Sequence, residues 1–290
     1  MAGSNLPRLI IFGDPKKGHV ADVIKDFNDF IKGKAEVVAT CLLDDSTMPE
    51  ALENCDYAVV FGGDGSIISA ARSLSSNSVP VIGVNLGKLG YLAEFSVAEL
   101  KKAFDDIVSG KAVIEKRMML GCRILSGPKE KFRSAAINDI FITAGPPFRV
   151  IELKILVDGQ PLTSCVSDGL IIATPTGSTA YNLSAGGPIL SPRIEAMVIT
   201  PICPHSLSFR SIVINAESTV EVFGIRVNEG TTVSIDGQIS HSLSIDDVVR
   251  VEKYQDDFLL VNNPIRTEWD TLASKLSWAE KPKYKSDPIR

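Results

Sequence analysis

The segment Gly62-Gly63-Asp64-Gly65 combines residue types that could hold a phosphate and move a proton. An apolar run at 58–61 precedes it and apolar residues at helical spacing follow it, which predicts a strand, a glycine turn and a helix. Glycines let the backbone approach a ligand closely, and the first N–H groups of a helix favour an anion. The Asp64 carboxylate would repel a phosphate, so it would instead hold a metal or take a proton from a hydroxyl. The same residues are also typical of a plain turn in which Asp64 caps the helix.

A second set of polar residues lies much further along the chain. The run 174–181 is dense in hydroxyls and ends at Tyr181, and polar residues continue to 188. It offers donors and acceptors for a sugar or a base edge, and one aromatic face for stacking. The alternative is a polar loop. Three shorter polar segments are further candidates for ligand contacts, namely Asn138-Asp139, Ser167-Asp168-Gly169 and Asp236-Gly237-Gln238. For Asn138-Asp139 and Asp236-Gly237 the alternative is turn chemistry.

The elements around the glycine turn indicate a parallel sheet. Apolar strands are predicted near 9–12, 37–39, 58–61 and 81–84, and helices with one apolar face lie between them. Ligands of such sheets bind beyond the carboxyl ends of the strands. Both the glycine turn and the loop that begins at Asn85 follow such ends. Ser96 and Glu99 form a capping box that opens a further helix.

The apolar period changes to two after about residue 112. Ile151, Leu153 and Ile155 alternate with polar residues, and Asp158-Gly159 is a tight hairpin signal. We therefore expect an all-β region up to about residue 261. The tail is helical again, with Trp269, Leu272 and Leu276 on one face, and too short to be stable alone. The expected domains are 1–110, 111–262 and a tail, 263–290, that returns to the first domain.

The net charge, the apolar stretches and the cysteine spacing disfavour several classes of protein. The net charge of −5 over 290 residues disfavours a sequence-independent nucleic-acid binder. No stretch approaches the ~20 apolar residues of a membrane span, and the N-terminus lacks the features of a signal peptide. The five cysteines are odd in number and never form Cys-x-x-Cys, which disfavours a disulfide framework or a zinc site. We expect a cytoplasmic protein that binds neither nucleic acid nor membrane.

The chain resembles the bacterial NAD kinases over nearly its whole length. Diacylglycerol kinases and 6-phosphofructokinases have similar glycine–aspartate turns, so the long threonine motif is the specific part of the match. The residues that carry the resemblance are Gly62-Gly63-Asp64-Gly65, the loop 85–92, Asn138-Asp139, Ser167 to Ile172, Thr174 to Tyr181, Ser184 to Pro188, Pro204 to Leu207 and Leu272 to Trp278.

The resemblance implies a phosphotransferase that acts on an alcohol. ATP, with Mg²⁺ or another divalent metal, would phosphorylate the 2′-hydroxyl of the adenosine ribose of NAD to give NADP, and Asp64 would be the general base. The family fold pairs a Rossmann-like parallel α/β domain with a β-sandwich-like domain, and its members form homodimers or homotetramers. The family gives the chain no protein ligand to a metal. It implies that the nucleotides are bound by Gly62, Gly63, Gly65, Asn85, Asn138, Asp139, Arg149, Asp168, Thr176, Thr179, Ala180, Tyr181, Asn182, Leu183, Ser184 and Gln238.

Two residues depart from the family pattern. Asp139 stands where the family usually carries glutamate, and Val166 stands where many relatives carry a basic residue. Two other functions use the same residues. One is a lipid or sugar kinase with the same glycine turn, although it has no evident use for the threonine run. The other is a non-catalytic dinucleotide sensor in which Asp64 only binds ribose.

Overall fold

The computed structural model describes residues 6–14, 18–42, 55–87 and 90–276. Its elements begin with β1 (Arg8–Phe12), α1 (Gly18–Ile31), β2 (Glu36–Cys41), β3 (Tyr57–Phe61), α2 (Asp64–Ser73), β4 (Val81–Asn85), β5 (Phe95–Ser96) and α3 (Val97–Val108). They continue with β6 (Ile114–Arg117), β7 (Leu120–Ser126), β8 (Lys129–Ala136), β9 (Asp139–Thr143), β10 (Ile151–Val157), β11 (Gln160–Ser167), β12 (Gly169–Ala173), α4 (Tyr181–Ser184), β13 (Ala196–Ile202), β14 (Ile212–Asn215), β15 (Val220–Arg226), β16 (Thr232–Ile235), β17 (Ile239–Ser242), β18 (Asp247–Lys253), β19 (Phe258–Val261) and α5 (Glu268–Leu276). None of the described helices, of which α1 is the longest, has the length and apolar character that a membrane span requires.

The described chain divides into two compact units. The first comprises residues from 1–67, 80–114 and 260–290, and the second comprises 68–79 and 115–259. Helix α2 begins in the first unit and ends in the second. Helical periodicity simply continues through this point, so the sequence contains no local signal for the division.

The first unit is built on a parallel sheet, as the alternation of strands and helices predicts. The strand order is β2–β1–β3–β4–β19–β6, and β5 pairs with the end of β4. The pairings of β1 with β2 and β3, and of β4 with β3 and β19, are all parallel. Strands β1, β3 and β4 are buried along almost their whole length, as strands covered on both faces must be.

Aromatic side chains hold the helices of this unit onto the sheet. Phe27 of α1 packs edge-on against Phe61 of β3 and against Phe104 of α3, with ring centroids 5.4 and 5.7 Å apart. Ser96 and Glu99 form the predicted capping box at the start of α3. Gly33 and Gly110 follow α1 and α3 with φ of +77°, which glycine adopts without strain.

The second unit is a β-sandwich-like pair of antiparallel sheets. Among the described residues, one sheet has the order β11–β10–β15–β18–β7–β8 and the other the order β14–β13–β12–β9–β16–β17. Alternate residues such as Leu153 of β10 and Ile172 of β12 face a shared apolar core. The Asp158-Gly159 hairpin forms as predicted, with φ of +51° and +73°.

Strand β12 is buried on both faces, which the segment after it explains. Leu170 and Ile172 face the sandwich core, whereas Ile171 and Ala173 contact Ala185 and Leu190 on the opposite face. The segment that covers this face contains a 3₁₀ turn at Gly177–Thr179 and the short helix α4. The prediction of an all-β region omits these turns, because a hydroxyl-rich run has no apolar period to reveal them.

The C-terminal segment belongs to the first unit. Asn263 donates from its backbone to the Glu94 carboxylate at 2.8 Å and from its side chain to the Glu94 carbonyl at 3.0 Å. Arg266 pairs with Glu99 at 2.7 Å. One expectation for α5 is wrong: Trp269 is 63% exposed and does not share a buried face with Leu272 and Leu276, which are partly buried. The attachment of this segment is polar, so an apolar pattern predicts it poorly.

Candidate active site

The glycine turn lies at the carboxyl end of β3, where the sequence places it. Gly62 donates to the Val84 carbonyl at 2.9 Å, and the Gly63 carbonyl accepts the first hydrogen bonds of α2. A Cβ on Gly62 would lie 2.4 Å from the Ser66 hydroxyl oxygen, so a side chain does not fit there. A Cβ on Gly63 would meet no atom within 4 Å. The turn therefore leaves open space in front of Gly63, where a ligand can approach the backbone.

A cavity of about 370 Å³ opens at this turn. Asn85 and Gly87 form another part of its wall, where the Gly87 N–H donates to the Asn85 side-chain oxygen at 2.6 Å. A cavity of this size matches a small-molecule site. It is lined by Asp14, His19, Val20, Phe61, Gly62, Gly63, Ser66, Asn85, Leu86 and Gly87.

Three backbone N–H groups hold the Asp64 carboxylate. Tyr91 donates to Oδ2 at 2.8 Å, whereas Leu92 and Ala93 donate to Oδ1 at 3.0 and 3.1 Å. Asp64 is the first residue of α2. The loop reaches the carboxylate this closely because residue 90 is glycine: a Cβ there would lie 1.8 Å from Oδ1.

The N–H donors that hold the Asp64 carboxylate lie outside helix α2. The carboxylate is held by a loop 27 to 29 residues further along the chain. An ionised carboxylate offers about four acceptor positions, two on each oxygen. Oδ1 receives two N–H groups and Oδ2 receives one, which leaves capacity on Oδ2 for a hydroxyl. Asp64 is thereby fixed in orientation beside the glycine turn and can still accept one more hydrogen bond.

In the second unit, hydrogen bonds with Asp236 and Thr174 hold the segment 137–139 from two sides. The Asp236 carboxylate accepts the N–H groups of Ile137, Asn138 and Asp139 at 2.7 to 3.2 Å. On the other side, Thr174 donates its hydroxyl to the Ile137 carbonyl at 2.6 Å and its N–H to the Asn138 carbonyl at 2.8 Å. The Asn138 side-chain amide has no hydrogen-bond partner among the described residues. Its backbone is fully engaged, and its side chain remains able to bind a ligand.

Asp236 and Gln238 share one arginine. Arg72, in the last turn of α2, places Nη1 2.8 Å from Asp236 Oδ2 and Nη2 2.5 Å from Gln238 Oε1. The Asp236 side chain is completely buried and the Arg72 side chain is 13% exposed. Burial raises the pKa of Asp236, while the N–H groups and Arg72 act in the opposite direction.

Asp139 is a second buried acid in the same place. It is 3% exposed, and burial together with the nearby charge of Asp236 raises its pKa to about 7. The Tyr181 N–H donates to it and opposes that rise. Asp236 receives three N–H groups and a guanidinium, so we assign the negative charge to Asp236, and Asp139 is the acid that takes up a proton.

Asp139→Asn is expected to stabilise the ligand-free protein at pH 8 and to have a much smaller effect at pH 4. A raised pKa means that the folded state holds the proton more tightly than the unfolded state between about pH 4 and 7, so Asp139 lowers the stability as pH rises through that window. The cost above pH 7 is at most roughly 4 kcal/mol, and its removal should raise Tm by several degrees. Thermal unfolding at both pH values tests this, with exposed Asp246→Asn as control. An equal change in Tm at both pH values would contradict it.

The hydroxyl-rich run presents some side chains outward and turns others inward. Tyr181 is 38% exposed and packs edge-on against Phe141, with centroids 5.0 Å apart. Asn182 is fully buried: its amide donates to the Ser178 and Pro188 carbonyls and its oxygen accepts from Thr200. Asn182 therefore presents neither its side chain nor its backbone at the surface. Thr179 donates to the Thr176 carbonyl at 3.3 Å. Ala180 and Leu183 are partly buried, and Ser184 is exposed.

Two predicted binding residues lie apart from this cluster. Asp168 precedes β12 and the threonine run follows it, so the two ends are separated by a strand of about 15 Å. Gly169 pairs with Thr143 at one end of β12, and Ala173 pairs with Asp139 at the other. The Asp168 side chain is exposed and has no partner among the described residues. Arg149 is also exposed, in the loop that follows β9 at the Asp168 end.

Comparison with known proteins decides the family. Residues 16–112 match the family model for the ATP-NAD kinase N-terminal domain, and residues 137–263 match the model for the ATP-NAD kinase C-terminal domain. An NAD kinase of Rhodopirellula baltica is 36% identical over 94% of this chain and 87% of its own length. An NAD kinase of Geobacter metallireducens is 41% identical over 81% of this chain and 83% of its own length. The chain belongs to the NAD kinase family.

Solved NAD kinase structures have the same fold as this NAD kinase. A yeast NADH kinase in complex with NADH matches with a TM-score of 0.86 at 26% identity, over 98% of this chain and 91% of the other. An Archaeoglobus fulgidus NAD kinase in complex with ATP matches with a TM-score of 0.75 at 26% identity, over 94% of this chain and 99% of the other.

Three polar residues of this NAD kinase site were missed as site residues by sequence reasoning. The sequence places Thr174 in the threonine motif and leaves Asp236 open between ligand contact and turn chemistry, whereas both hold the segment 137–139. Asp236 does occupy a turn, with φ of +51°, so the turn interpretation is also correct. Arg72 lies at the far end of the helix that begins at Asp64, outside the glycine motif, and no sequence signal connects it to a residue 164 positions away.

Proposed function

We propose that this NAD kinase family member transfers the γ-phosphoryl group of ATP to the 2′-hydroxyl of the adenosine ribose of NAD, and that Asp64 is the general base. The observation that carries the proposal is the Asp64 carboxylate, held by three N–H groups beside an open glycine turn. The family match and the two related structures, solved in complex with NADH and with ATP, support the choice of substrates.

The proposed step forms one bond and breaks one. The 2′-oxygen attacks the γ-phosphorus, the bond from that phosphorus to the bridging oxygen of ADP breaks, and Oδ2 of Asp64 accepts the hydroxyl proton. Phosphoryl transfer has a loose transition state, so positioning and charge neutralisation contribute most. The Gly63 backbone N–H, in the open part of the turn, donates to a phosphate oxygen. Mg²⁺ enters as part of the MgATP substrate, where it offsets the phosphate charge.

Recognition of the dinucleotide is assigned to the second unit. The Asn138 amide, the Asp139 carboxyl and the Gln238 side chain supply hydrogen-bonding groups for the adenosine. The hydroxyls of Thr176 and Thr179 and the exposed ring of Tyr181 supply polar and stacking contacts. Protonated Asp139 can donate as well as accept, which suits a ribose hydroxyl.

The separation of Asp168 and Arg149 from that cluster supports a homo-oligomer. If both clusters contact one dinucleotide, a second copy of the chain is a source of the exposed Asp168 carboxylate. We therefore propose a homodimer or homotetramer. We also propose a cytoplasmic location, because buried Cys122 and Cys165 and exposed Cys203 are all thiols, as in a reducing compartment.

One assay separates the candidate functions. The protein is incubated with ATP, Mg²⁺ and NAD, and NADP is measured with an NADP-specific dehydrogenase. Formation of NADP supports the kinase, whereas binding of NAD without turnover identifies the dinucleotide sensor. Turnover of a sugar or lipid in place of NAD identifies the other kinases. Polyphosphate as donor and NADH as acceptor extend the same assay to both substrate preferences.

Tyr181→Ala is expected to weaken NAD binding ~10-fold or more, because base–aromatic stacking contributes ~1–3 kcal/mol in nucleic-acid sites. Tyr181→Phe should have a smaller effect, since it retains the ring. Asp168→Ala should weaken binding without lowering Tm, because its exposed side chain makes no hydrogen bond or ion pair with a described residue. Calorimetric titration with NAD and thermal unfolding test all three variants. If the alanine variants keep their affinity for NAD but have a lower Tm, the hydroxyl-rich run 174–181 stabilises the fold and does not bind NAD.

A further inference from the structure

We propose that Arg72 is the positioning residue of the dinucleotide site: through its two terminal nitrogens it fixes both the segment 137–139 and the Gln238 amide. Arg72 is not one of the groups assigned to contact NAD. It acts through two residues on either side of Gly237. The inference rests on the proposed function, and it adds to that function a residue that no motif contains.

Arg72 acts on the segment 137–139 through Asp236. Arg72 Nη1 is 2.8 Å from the Asp236 carboxylate, and that carboxylate accepts the N–H groups of Ile137, Asn138 and Asp139. Breaking a buried ion pair by removing one partner is strongly destabilising, because the remaining charge is left uncompensated. Without Arg72, Asp236 would have to take up a proton or turn towards water. Either change weakens the N–H bonds that aim the Asn138 and Asp139 side chains.

Arg72 also orients the side-chain amide of Gln238. An amide can present either its oxygen or its nitrogen, but a guanidinium carries only donors. The 2.5 Å bond from Arg72 Nη2 therefore selects the orientation in which Gln238 Oε1 faces the arginine. The amide nitrogen then points away from Arg72 as a donor.

Holding Asp236 and Gln238 at the same time requires an arginine at position 72. A guanidinium holds two acceptors at once in a fixed plane, whereas a lysine ammonium is a point charge on a flexible chain. Lysine at 72 would keep the charge opposite Asp236 but would not hold both acceptors in that plane. Arg72→Lys therefore separates the role in orientation from the role in charge.

The experiment compares Arg72→Lys and Arg72→Gln with wild type in steady-state kinetics and in calorimetric binding of NAD. Each variant should raise KM and Kd for NAD ~10-fold or more, because two oriented polar contacts are loosened, while KM for ATP changes less than ~2-fold. Arg72→Lys should retain more of the thermal stability than Arg72→Gln. In a double-mutant cycle with Gln238→Ala, the two effects should be less than multiplicative.

Arg117→Lys is the matched control. Arg117 is a buried arginine, 7% exposed at its side chain, and its partner is Glu115 at 2.9 Å, outside both candidate sites. It should lower Tm without changing KM for NAD. The proposal is overturned if the Arg72 variants bind NAD like wild type, if KM for ATP rises as much as KM for NAD, or if Arg117→Lys has the same effect on KM for NAD.

The proposed reaction and the positioning role of Arg72 can be disproved separately. A wild-type protein that makes no NADP from ATP and NAD disproves the proposed reaction. Normal wild-type turnover with unaffected Arg72 variants disproves only the role of Arg72. If wild type binds NAD but does not turn it over, the calorimetric comparison still decides whether Arg72 positions the site.

Discussion

Asp64→Asn is expected to lower kcat by ~10²-fold or more, because general-base assistance typically contributes that much. The amide keeps the shape of the side chain and removes the proton acceptor. Its oxygen can still accept from Leu92 and Ala93, but its nitrogen would face the Tyr91 N–H, so one hydrogen bond is lost. KM for NAD and ATP should change little, since Asp64 is assigned to the chemical step.

Single-turnover measurement of NADP formation tests this result independently of product release. Thermal unfolding of the same variant shows how much the lost Tyr91 bond costs in stability. Near-normal turnover in a folded variant would remove Asp64 as the base. The glycine turn would then be a phosphate-binding feature alone.

Gly90→Ala is expected to lower kcat by ~10²-fold even though residue 90 takes no part in the chemistry, because misplacing a catalytic group by about 1 Å can cost that much. The added Cβ would lie 1.8 Å from Asp64 Oδ1 and 2.6 Å from its Cγ, so the carboxylate or the loop must move.

Gly121→Ala provides the control for a simple glycine substitution. A Cβ at Gly121 would lie 3.5 Å from the Tyr254 ring, an ordinary contact, and the residue lies on β7, away from both candidate sites. It should retain wild-type kcat. Wild-type kcat in Gly90→Ala would mean that the loop yields without displacing Asp64, and that the three N–H groups do not fix the carboxylate tightly.

The sequence by itself determined the parts of this protein that depend on neighbours along the chain. Apolar spacing predicts α1 and the buried strands, Ser96 and Glu99 predict a capped helix, and Asp158-Gly159 predicts a hairpin; all are present. The glycine turn and its open backbone follow from four consecutive residues. The family follows from ordered motifs over nearly the whole chain, and the comparisons confirm it. Each of these signals is short in range, so a sequence displays it directly.

Only the tertiary structure decided which polar groups meet. The Asp64 carboxylate finds its N–H donors in a loop about 27 residues away, and Arg72 reaches Asp236 across 164 residues. The same folding buries Asp139 beside Asp236 and thereby raises its pKa, and it turns the Asn182 amide inward while Tyr181 stays exposed. Hydrogen bonds and burial depend on positions in space. A carboxylate or an amide has the same local sequence signature whether it faces a ligand, a buried arginine or water.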